Sequence, residues 1–491
     1  MKARVVRTHA SRLPAGDDHP YRTGAWRPNL AEWEADDLDV THGAIPDDLD
    51  GVYLRNTENP IVDAIGRYHP FDGDGMVHAI DFRGGRASYR NRLVPTKGLA
   101  AELEAGEPLF AGIIEPPERS LRDGWGARGR MKDASSTDIV VHGGRAKTSF
   151  YQCGDLYEMD PVTLEPLGAA TWGGRFPREG VSAHTKVDPR TGELLFFGYS
   201  KVAPYMHYGV LDRAGELVHH TAVPLPGPRL PHDMAFTERF AILDDFPLFW
   251  DADLLAKGVH RARFHRDIPS RFAVIPRRGT AADVRWFEAS PTYVLHWINA
   301  FERGDEIVLD GYRQENPTPR PAPEDGPWGA LMRMVDLVSL GTRAHRWRFD
   351  LRTGKTREEP LDDTCTEFPT INPRFAGRVH QSAWVMTTKP GWFLFDGIAR
   401  LHTERGLVDR YRWPDGVFAS EAPMAPRPAG TAEDDGWVVT FVSDTNRDLS
   451  ECQIFDARRL ADGPVACVRL PERISSGTHA FWADRDALAG R

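Results

Sequence analysis

Five times the chain ends an apolar run on an aspartate and then turns. Met159-Asp160-Pro161-Val162-Thr163-Leu164, Val187-Asp188-Pro189-Arg190-Thr191-Gly192, Leu211-Asp212-Arg213-Ala214-Gly215, Phe349-Asp350-Leu351-Arg352-Thr353-Gly354 and Phe455-Asp456-Ala457-Arg458 share this design. In such a turn the Asp side chain accepts from the backbone N–H groups that follow it, and Gly or a polar pair closes the bend. Each copy therefore marks two neighbouring strands. A chain built of such hairpins has many sheet edges to protect, and radial repetition protects them. An all-β fold of the β-propeller kind is the natural large solution. The spacing between copies is irregular, and two separate β-sandwiches satisfy the same pattern.

Composition points the same way. The 45 Gly and 38 Pro in 491 residues favour short strands and tight turns over a helical protein. A net charge of −10 argues against a nucleic-acid partner, because phosphate binding needs a basic field. The four cysteines, Cys153, Cys365, Cys452 and Cys467, form no CxxC pair, and so few in so long a chain suit a reducing compartment. Met1 to Pro20 has basic residues with no apolar run behind them, so it does not read as a secretory signal. No stretch approaches the ~20 apolar residues of a transmembrane helix. The expectation is a cytoplasmic protein, with peripheral contact to a membrane left open.

Along the chain, residues 1–35 are polar and Pro-containing and read as an N-terminal arm, with regular structure expected from about Asp39. Leu99 to Gly106 gives the clearest helical signal. Asp72-Gly73-Asp74-Gly75 lacks the further acidic ligands and closing Glu of a calcium loop and reads as a tight turn between strands. The Pro-rich segments Pro317–Pro327 and Pro423–Pro428 read as loops. No shift in composition cuts the chain, so 36–491 is expected to be a single catalytic propeller domain.

Tyr293-Val294-Leu295-His296-Trp297-Ile298-Asn299-Ala300-Phe301-Glu302 reads as a strand with a histidine at its middle, turning at Gly304 into a second strand over Asp305–Tyr312. A lone histidine on an apolar strand is usually a satisfied core residue. His184, His232 and His479 stand in similar settings, each after a small or turn residue and beside a β-like run. Propeller inner strands surround a channel and could aim four imidazoles at one point. Spacing alone does not select these four over His69, His78 or His380.

The selection comes from a resemblance spread over nearly the whole chain. Ile45-Pro46 with Gly51-Val52-Tyr53-Leu54-Arg55-Asn56 comes first, then Phe71-Asp72-Gly73-Asp74-Gly75-Met76-Val77-His78, then Ala183-His184-Thr185-Lys186-Val187-Asp188. His232-Asp233-Met234-Ala235, His296-Trp297-Ile298-Asn299-Ala300-Phe301-Glu302, Glu367-Phe368-Pro369 and His479-Ala480-Phe481-Trp482 follow in order. In this set the chain resembles the carotenoid cleavage oxygenase family, which includes apocarotenoid oxygenases, retinoid isomerase and lignostilbene dioxygenases.

The resemblance implies a seven-bladed β-propeller with loops and short helices capping one face. It implies one Fe(II) per chain on the axis, held by His184, His232, His296 and His479, with O2 as co-substrate. Neutral imidazoles suit Fe(II) and leave coordination positions open. It further implies glutamates that accept from ligand imidazoles and fix their tautomer. Glu367 and Glu421 match two of these. Gln152 stands where the family usually has the other, and it can accept but carries no charge. The implied reaction cleaves a C=C bond of a carotenoid or apocarotenoid into two carbonyl products.

Stilbene-cleaving relatives hold a phenol with a Lys and a Tyr, and the matching positions here carry Tyr151 and Ile113. That favours an apolar polyene over a phenolic stilbene or phenylpropene, which remains the alternative substrate. Phe249, in the apolar stretch Phe246-Pro247-Leu248-Phe249-Trp250, is a candidate for the substrate mouth or a membrane contact, against the plainer reading of a buried strand and turn. Two other classes are weighed against this one. A calcium-dependent lactonase or a glycosidase would need carboxylates at the axis, and a non-catalytic propeller would bind an apolar ligand without iron.

Overall fold

The computed structural model describes residues 1–124, 130–255, 257, 262–322 and 325–490. Strands dominate, and contacts divide the chain into two compact units, Met1–Ala183 with Tyr411–Arg491, and His184–Arg410.

The unit His184–Arg410 is a run of antiparallel meanders. The first pairs Lys186–Asp188, Glu193–Tyr199, Met206–Leu211 and Leu217–Ala222 in that order. The second pairs Ala235–Phe236, Phe240–Asp245, Ser270–Pro276 and Arg285–Ala289, with a two-stranded ribbon, Leu248–Trp250 and Ala262–Phe264, in its long connection. The third pairs Trp297–Arg303, Glu306–Gln314, Thr342–Asp350 and Thr356–Asp362. The fourth runs Thr366–Thr370, Ser382–Thr388, Phe395–His402, with Gly406–Arg412 on the last.

Both faces of these sheets are covered, so their inner strands carry unbroken apolar runs such as Ile307-Val308-Leu309, all fully buried. Phe272, Trp297, Trp347 and Phe349 interleave between the second and third meanders, each burial worth about 2–3 kcal/mol. Tyr312, Ala344, Val385 and Leu401 do the same between the third and fourth. Gly311 faces Trp297 across the ladder because the indole fills the place of a side chain: a Cβ there would lie 2.3 Å from the ring.

In the other unit, a six-stranded sheet runs Lys2–Thr8, Ala31–Asp36, Arg86–Leu93, Met76–Arg83, Gly51–Arg55, Ala480–Asp484, so the last strand of the chain pairs with an N-terminal one. A second sheet runs Pro166–Ala169, Tyr157–Met159, Arg145–Thr148, Ile139–His142. A third runs Val417–Ala419, Gly436–Asp444, Leu449–Asp456, Ala466–Arg469, Val40–Gly43, with Met424–Pro426 on Gly436–Asp444.

The aspartate turns form as the sequence predicts. Oδ1 of Asp160 accepts from Val162 and Thr163, that of Asp188 from Arg190, that of Asp212 from Ala214 and Glu216, that of Asp350 from Arg352 and Thr353, and that of Asp456 from Arg458. The helix is Lys97–Ala105, closed by Gly106 at φ 76°.

Other expectations are corrected. Regular structure begins at Lys2, well before Asp39: Lys2–Thr8 is solvent-exposed throughout, so no apolar alternation marks it, and it is held by pairing to Ala31–Asp36 and by Arg4–Glu34 at 2.6 Å. Asp72-Gly73-Asp74-Gly75 is more than a turn. Asp72 accepts from the N–H groups of His69 and Ile113, and Asp74 is a buried partner of Lys132 at 2.7 Å. Within Pro423–Pro428, Met424–Pro426 is a short strand. In the segment Pro317–Pro327, residues 323 and 324 lie outside the described residues. His296 is not at the middle of a strand. Tyr293 bridges to Gln314 and the regular strand starts only at Trp297, leaving His296 at its mouth.

Candidate metal centre

Three meanders of the His184–Arg410 unit begin alike. His184 lies two residues before Lys186–Asp188, His232 three before Ala235–Phe236, and His296 directly before Trp297–Arg303. Each imidazole therefore stands at the entry of a first strand, where the backbone leaves the ladder and the side chain is free to turn toward the neighbouring meander. Because the strands alternate in direction, the second connection of each meander returns to this same end. Their described residues are 200–205, then 246–255 with 257 and 262–269, then 315–322 with 325–341.

The three rings converge. Their centroids are 4.9, 5.0 and 5.3 Å apart, with steep interplanar angles of 69°, 83° and 62°. Nε2 of His184 and Nε2 of His232 are 3.2 Å apart, and a ring nitrogen from each of the three lies within 4.8 Å of the others. Nitrogens bound at about 2.1 Å and at right angles around one cation sit about 3 Å apart, so the spacing and the donor type both fit a divalent transition metal such as Fe(II).

Glu367, on the first strand of the fourth meander, is fully buried, and its Oε2 lies 2.6 Å from Nδ1 of His296. The same oxygen accepts the N–H of Phe368 at 2.6 Å; Phe368 has a left-handed φ of 52°, and its ring packs on His296 at 4.8 Å. A proton held on Nδ1 leaves the Nε2 lone pair for a metal. Tyr293 Oη donates to the carbonyl of Leu230 at 2.8 Å and so ties the His296 segment to the loop that carries His232.

His479, in the other unit, is built the same way. It directly precedes the strand Ala480–Asp484, and its Nδ1 lies 3.4 Å from Oε2 of Glu421. That oxygen also accepts the N–H of Ala480 at 2.6 Å, and the Glu421 carbonyl takes the hydroxyl of Tyr53 at 3.0 Å. Burial works against the charged form of His479, but the Glu421 carboxylate outweighs it and raises the pKa above the ordinary imidazole value. Glu58 is a feature the sequence reading missed. It is buried, its Oε1 lies 3.4 Å from the Thr478 hydroxyl, and burial pushes its carboxyl up to about 8.

Gln152 stands in the turn that closes from Cys153 N–H to the Phe150 carbonyl at 3.0 Å. Tyr151 is half-buried, its ring against Phe71 and Phe150 at 5.7 and 5.2 Å. Ile113 borders a small cavity with Phe110, Phe150, Asp72 and Lys132. Phe249 lies on the ribbon strand Leu248–Trp250, half-buried between His265, stacked at 4.3 Å, and the Arg229 guanidinium at 4.1 Å.

The other histidines are accounted for by local bonds. His69 Nδ1 accepts from Phe71 N–H and burial lowers its pKa to about 3. His78 Nδ1 meets the Tyr89 hydroxyl at 2.7 Å. His380 packs against Asn299 Nδ2 at 3.2 Å and burial lowers its pKa to about 4. Among the described residues, no helix is long and apolar enough to cross a membrane.

Comparison with known proteins agrees with this architecture. The family model of the retinal pigment epithelial membrane protein matches residues 26–484. Carotenoid 9,10(9',10')-cleavage dioxygenase 1 of Pisum sativum is 32% identical, over 92% of this chain and 87% of that protein. Lignostilbene-alpha,beta-dioxygenase isozyme III of Sphingomonas paucimobilis is 30% identical, over 95% and 97%. The crystal structure of Pseudomonas brassicacearum lignostilbene dioxygenase superposes with a TM-score of 0.85 at 28% identity, covering 96% of this chain and all of that one. A variant of the Synechocystis apocarotenoid oxygenase gives 0.81 at 26% identity, over 94% and 98%. With its family model matched along nearly its whole length, the chain belongs to the carotenoid cleavage oxygenase family and is an oxygenase.

Proposed function

We propose that the chain is a non-haem Fe(II)-dependent dioxygenase that cleaves a C=C bond of a carotenoid or apocarotenoid with O2 to give two carbonyl products. The observation that carries this reading is the convergence of His184, His232 and His296 with Glu367 on Nδ1 of His296. His479, with Glu421 on its own Nδ1, is proposed as the fourth ligand on the strength of the resemblance and of the matching imidazole–carboxylate pair. Gln152 is proposed as the uncharged member of the outer set. A seven-bladed propeller is proposed as well, on the strength of the resemblance; the antiparallel sheets found within each unit are of the kind that propeller blades need.

Iron, when bound, supplies O2 activation at a centre of neutral ligands with open positions. The chain's own residues hold imidazoles in the right tautomer, orient the alkene and keep water away; the reaction needs no protein acid or base. A cavity of about 930 Å³ is lined by described residues of the second connections of the second and third meanders, Asp251 to Arg266 on one side and Asn316 to Pro321 on the other. Leu254, Phe264 and Pro319 line it with apolar surface, and Arg263, Arg266 and Arg320 line it together with Asp251. It is proposed as the substrate approach, with Phe249 on its flanking ribbon. The protein is proposed to act in the cytoplasm on an apolar or aromatic alkene, without a nucleic-acid partner.

The similarity to lignostilbene dioxygenase favours a second substrate reading, a phenolic stilbene or phenylpropene, for which Tyr151 would supply the only phenol contact at the two clamp positions. The test is product analysis by mass spectrometry after Fe(II) reconstitution in air, on β-apo-carotenals, a full-length carotenoid, resveratrol and isoeugenol. Paired carbonyls from the polyenes alone support the first reading. Aromatic aldehydes support the second. No product from any of them, in a protein that retains iron, counts against both.

A further inference from the structure

Asp233 follows His232 and is almost completely buried. Its two carboxylate oxygens are used in different directions. Oδ1 accepts from its own neighbour Met234 at 2.7 Å and pairs with the ammonium of Lys186 at 2.7 Å. Oδ2 accepts the backbone N–H of Trp297 at 2.9 Å. Lys186 is two residues after His184, and Trp297 is the residue after His296. One carboxylate thus joins the three chain segments that carry three converging imidazoles, and it does so immediately behind each of them.

We infer that Asp233 is a positioning residue for the metal centre, a clamp that sets the mutual placement of His184, His232 and His296, with Lys186 as its charge partner. This rests on the reading of the three histidines as metal ligands. The physical case is one of tolerance. Donor atoms must be held within about 0.5 Å of a productive geometry, and each of these histidines lies just before its regular strand, His296 keeping one cross-strand bond in which its carbonyl accepts the Tyr312 N–H at 3.2 Å. The Trp297 N–H is the first donor of its strand, and directing it to a carboxylate fixes where that strand begins. The Lys186 ion pair fixes the first meander against the second. A plain stabilising ion pair is the competing account, and such a pair contributes little net stability when buried. It gives no reason for all the partners to adjoin ligands. Asp244 lies close by, and burial, reinforced by the Asp233 charge, pushes its carboxyl well up.

The test is Co(II) binding to the metal-free full-length protein, followed by visible d–d absorption with a competing chelator, alongside thermal melting. The proteins are the wild type, Asp233→Asn, Lys186→Met, the double variant and His296→Ala. Asp233→Asn keeps an acceptor for the Trp297 N–H and loses the charge that meets Lys186. We expect affinity to fall by about tenfold or more, with an altered d–d envelope. Lys186→Met is expected to move both readouts in the same direction, and the double variant to lie closer to the wild type than Asp233→Asn does. If wild type and His296→Ala alike take up no Co(II), the metal-centre reading itself falls. If the wild type binds and both single variants match its affinity and spectrum, the clamp is overturned, whatever the melting temperatures do. Lys186 is a quarter exposed, so its variant keeps the test decisive should Asp233→Asn fold poorly.

Discussion

Oε2 of Glu367 lies 2.6 Å from Nδ1 of His296 and 2.6 Å from the N–H of Phe368, so the carboxylate that orients the imidazole is itself held by the backbone of its own strand. Replacing it should loosen the metal without unfolding the sheet. Glu367→Gln, which can still accept one hydrogen bond, should weaken metal binding about tenfold, and Glu367→Ala up to about a hundredfold. Chelator competition measures both, and equal affinity in all three proteins would remove Glu367 from the site.

His296 and His380 are both buried but should behave differently. His380→Gln removes a ring packed on Asn299 and lying 3.6 Å from Asp310. It should cost about 1–2 kcal/mol of stability and leave metal content intact. His296→Gln should abolish metal binding and activity with the smaller change in melting temperature. Metal analysis beside a melting curve separates the two.

Glu58 should make stability pH-dependent on the alkaline side. Its folded pKa is raised to about 8 from an ordinary 4.5, so its contribution is fully present below about pH 4.5 and is lost as pH rises through 8. Between pH 7 and pH 9 the metal-free wild type should lose about 1 kcal/mol relative to Glu58→Gln. Urea unfolding at the two pH values decides it. Parallel losses in both proteins would show that Glu58 is not the titrating group.

Lys132 pairs with two buried carboxylates, Asp74 at 2.7 Å and Glu102 at 2.8 Å. Lys132→Met strands both charges and should cost about 3–5 kcal/mol at pH 7. Burial raises the Asp74 carboxyl to about 6 against the pull of Lys132; with the ammonium gone it takes up a proton more readily in the fold, so the deficit should shrink as pH falls toward 5. A deficit that stays constant with pH would mean that lost packing, and not stranded charge, sets the cost.

The parts of the fold that were legible in the sequence are those whose signal is local. An aspartate turn needs only its own next few residues, and the five turns form where their sequences stand. Lys2–Thr8 was not legible, because a strand exposed on both faces has no alternation to display. The histidines were half legible. His184, His232, His296, His69, His78 and His380 look alike in one dimension, and the resemblance, not the spacing, picked out the first three. The geometry now gives the physical distinction: His184, His232 and His296 each turn a ring nitrogen toward the other two, His296 holding its Nδ1 on Glu367 as well, whereas His69, His78 and His380 meet separate local partners in Phe71, Tyr89 and Asn299. Asp233 was written in the sequence beside His232, but its role depends on Lys186 and on the N–H of Trp297, which only the folded chain brings to it.

The first three meanders of the His184–Arg410 unit each carry a histidine at one end, and the aspartate turns of the first and third lie at the other. The turns at Asp212–Gly215 and Asp350–Gly354 lie a full strand length from the imidazoles and face solvent. An epitope tag, a fluorophore-bearing cysteine or a tether to a surface can therefore be spliced into either hairpin with the reacting end left undisturbed. The unit has a working end and a handle, and the handle is where an engineer should hold it.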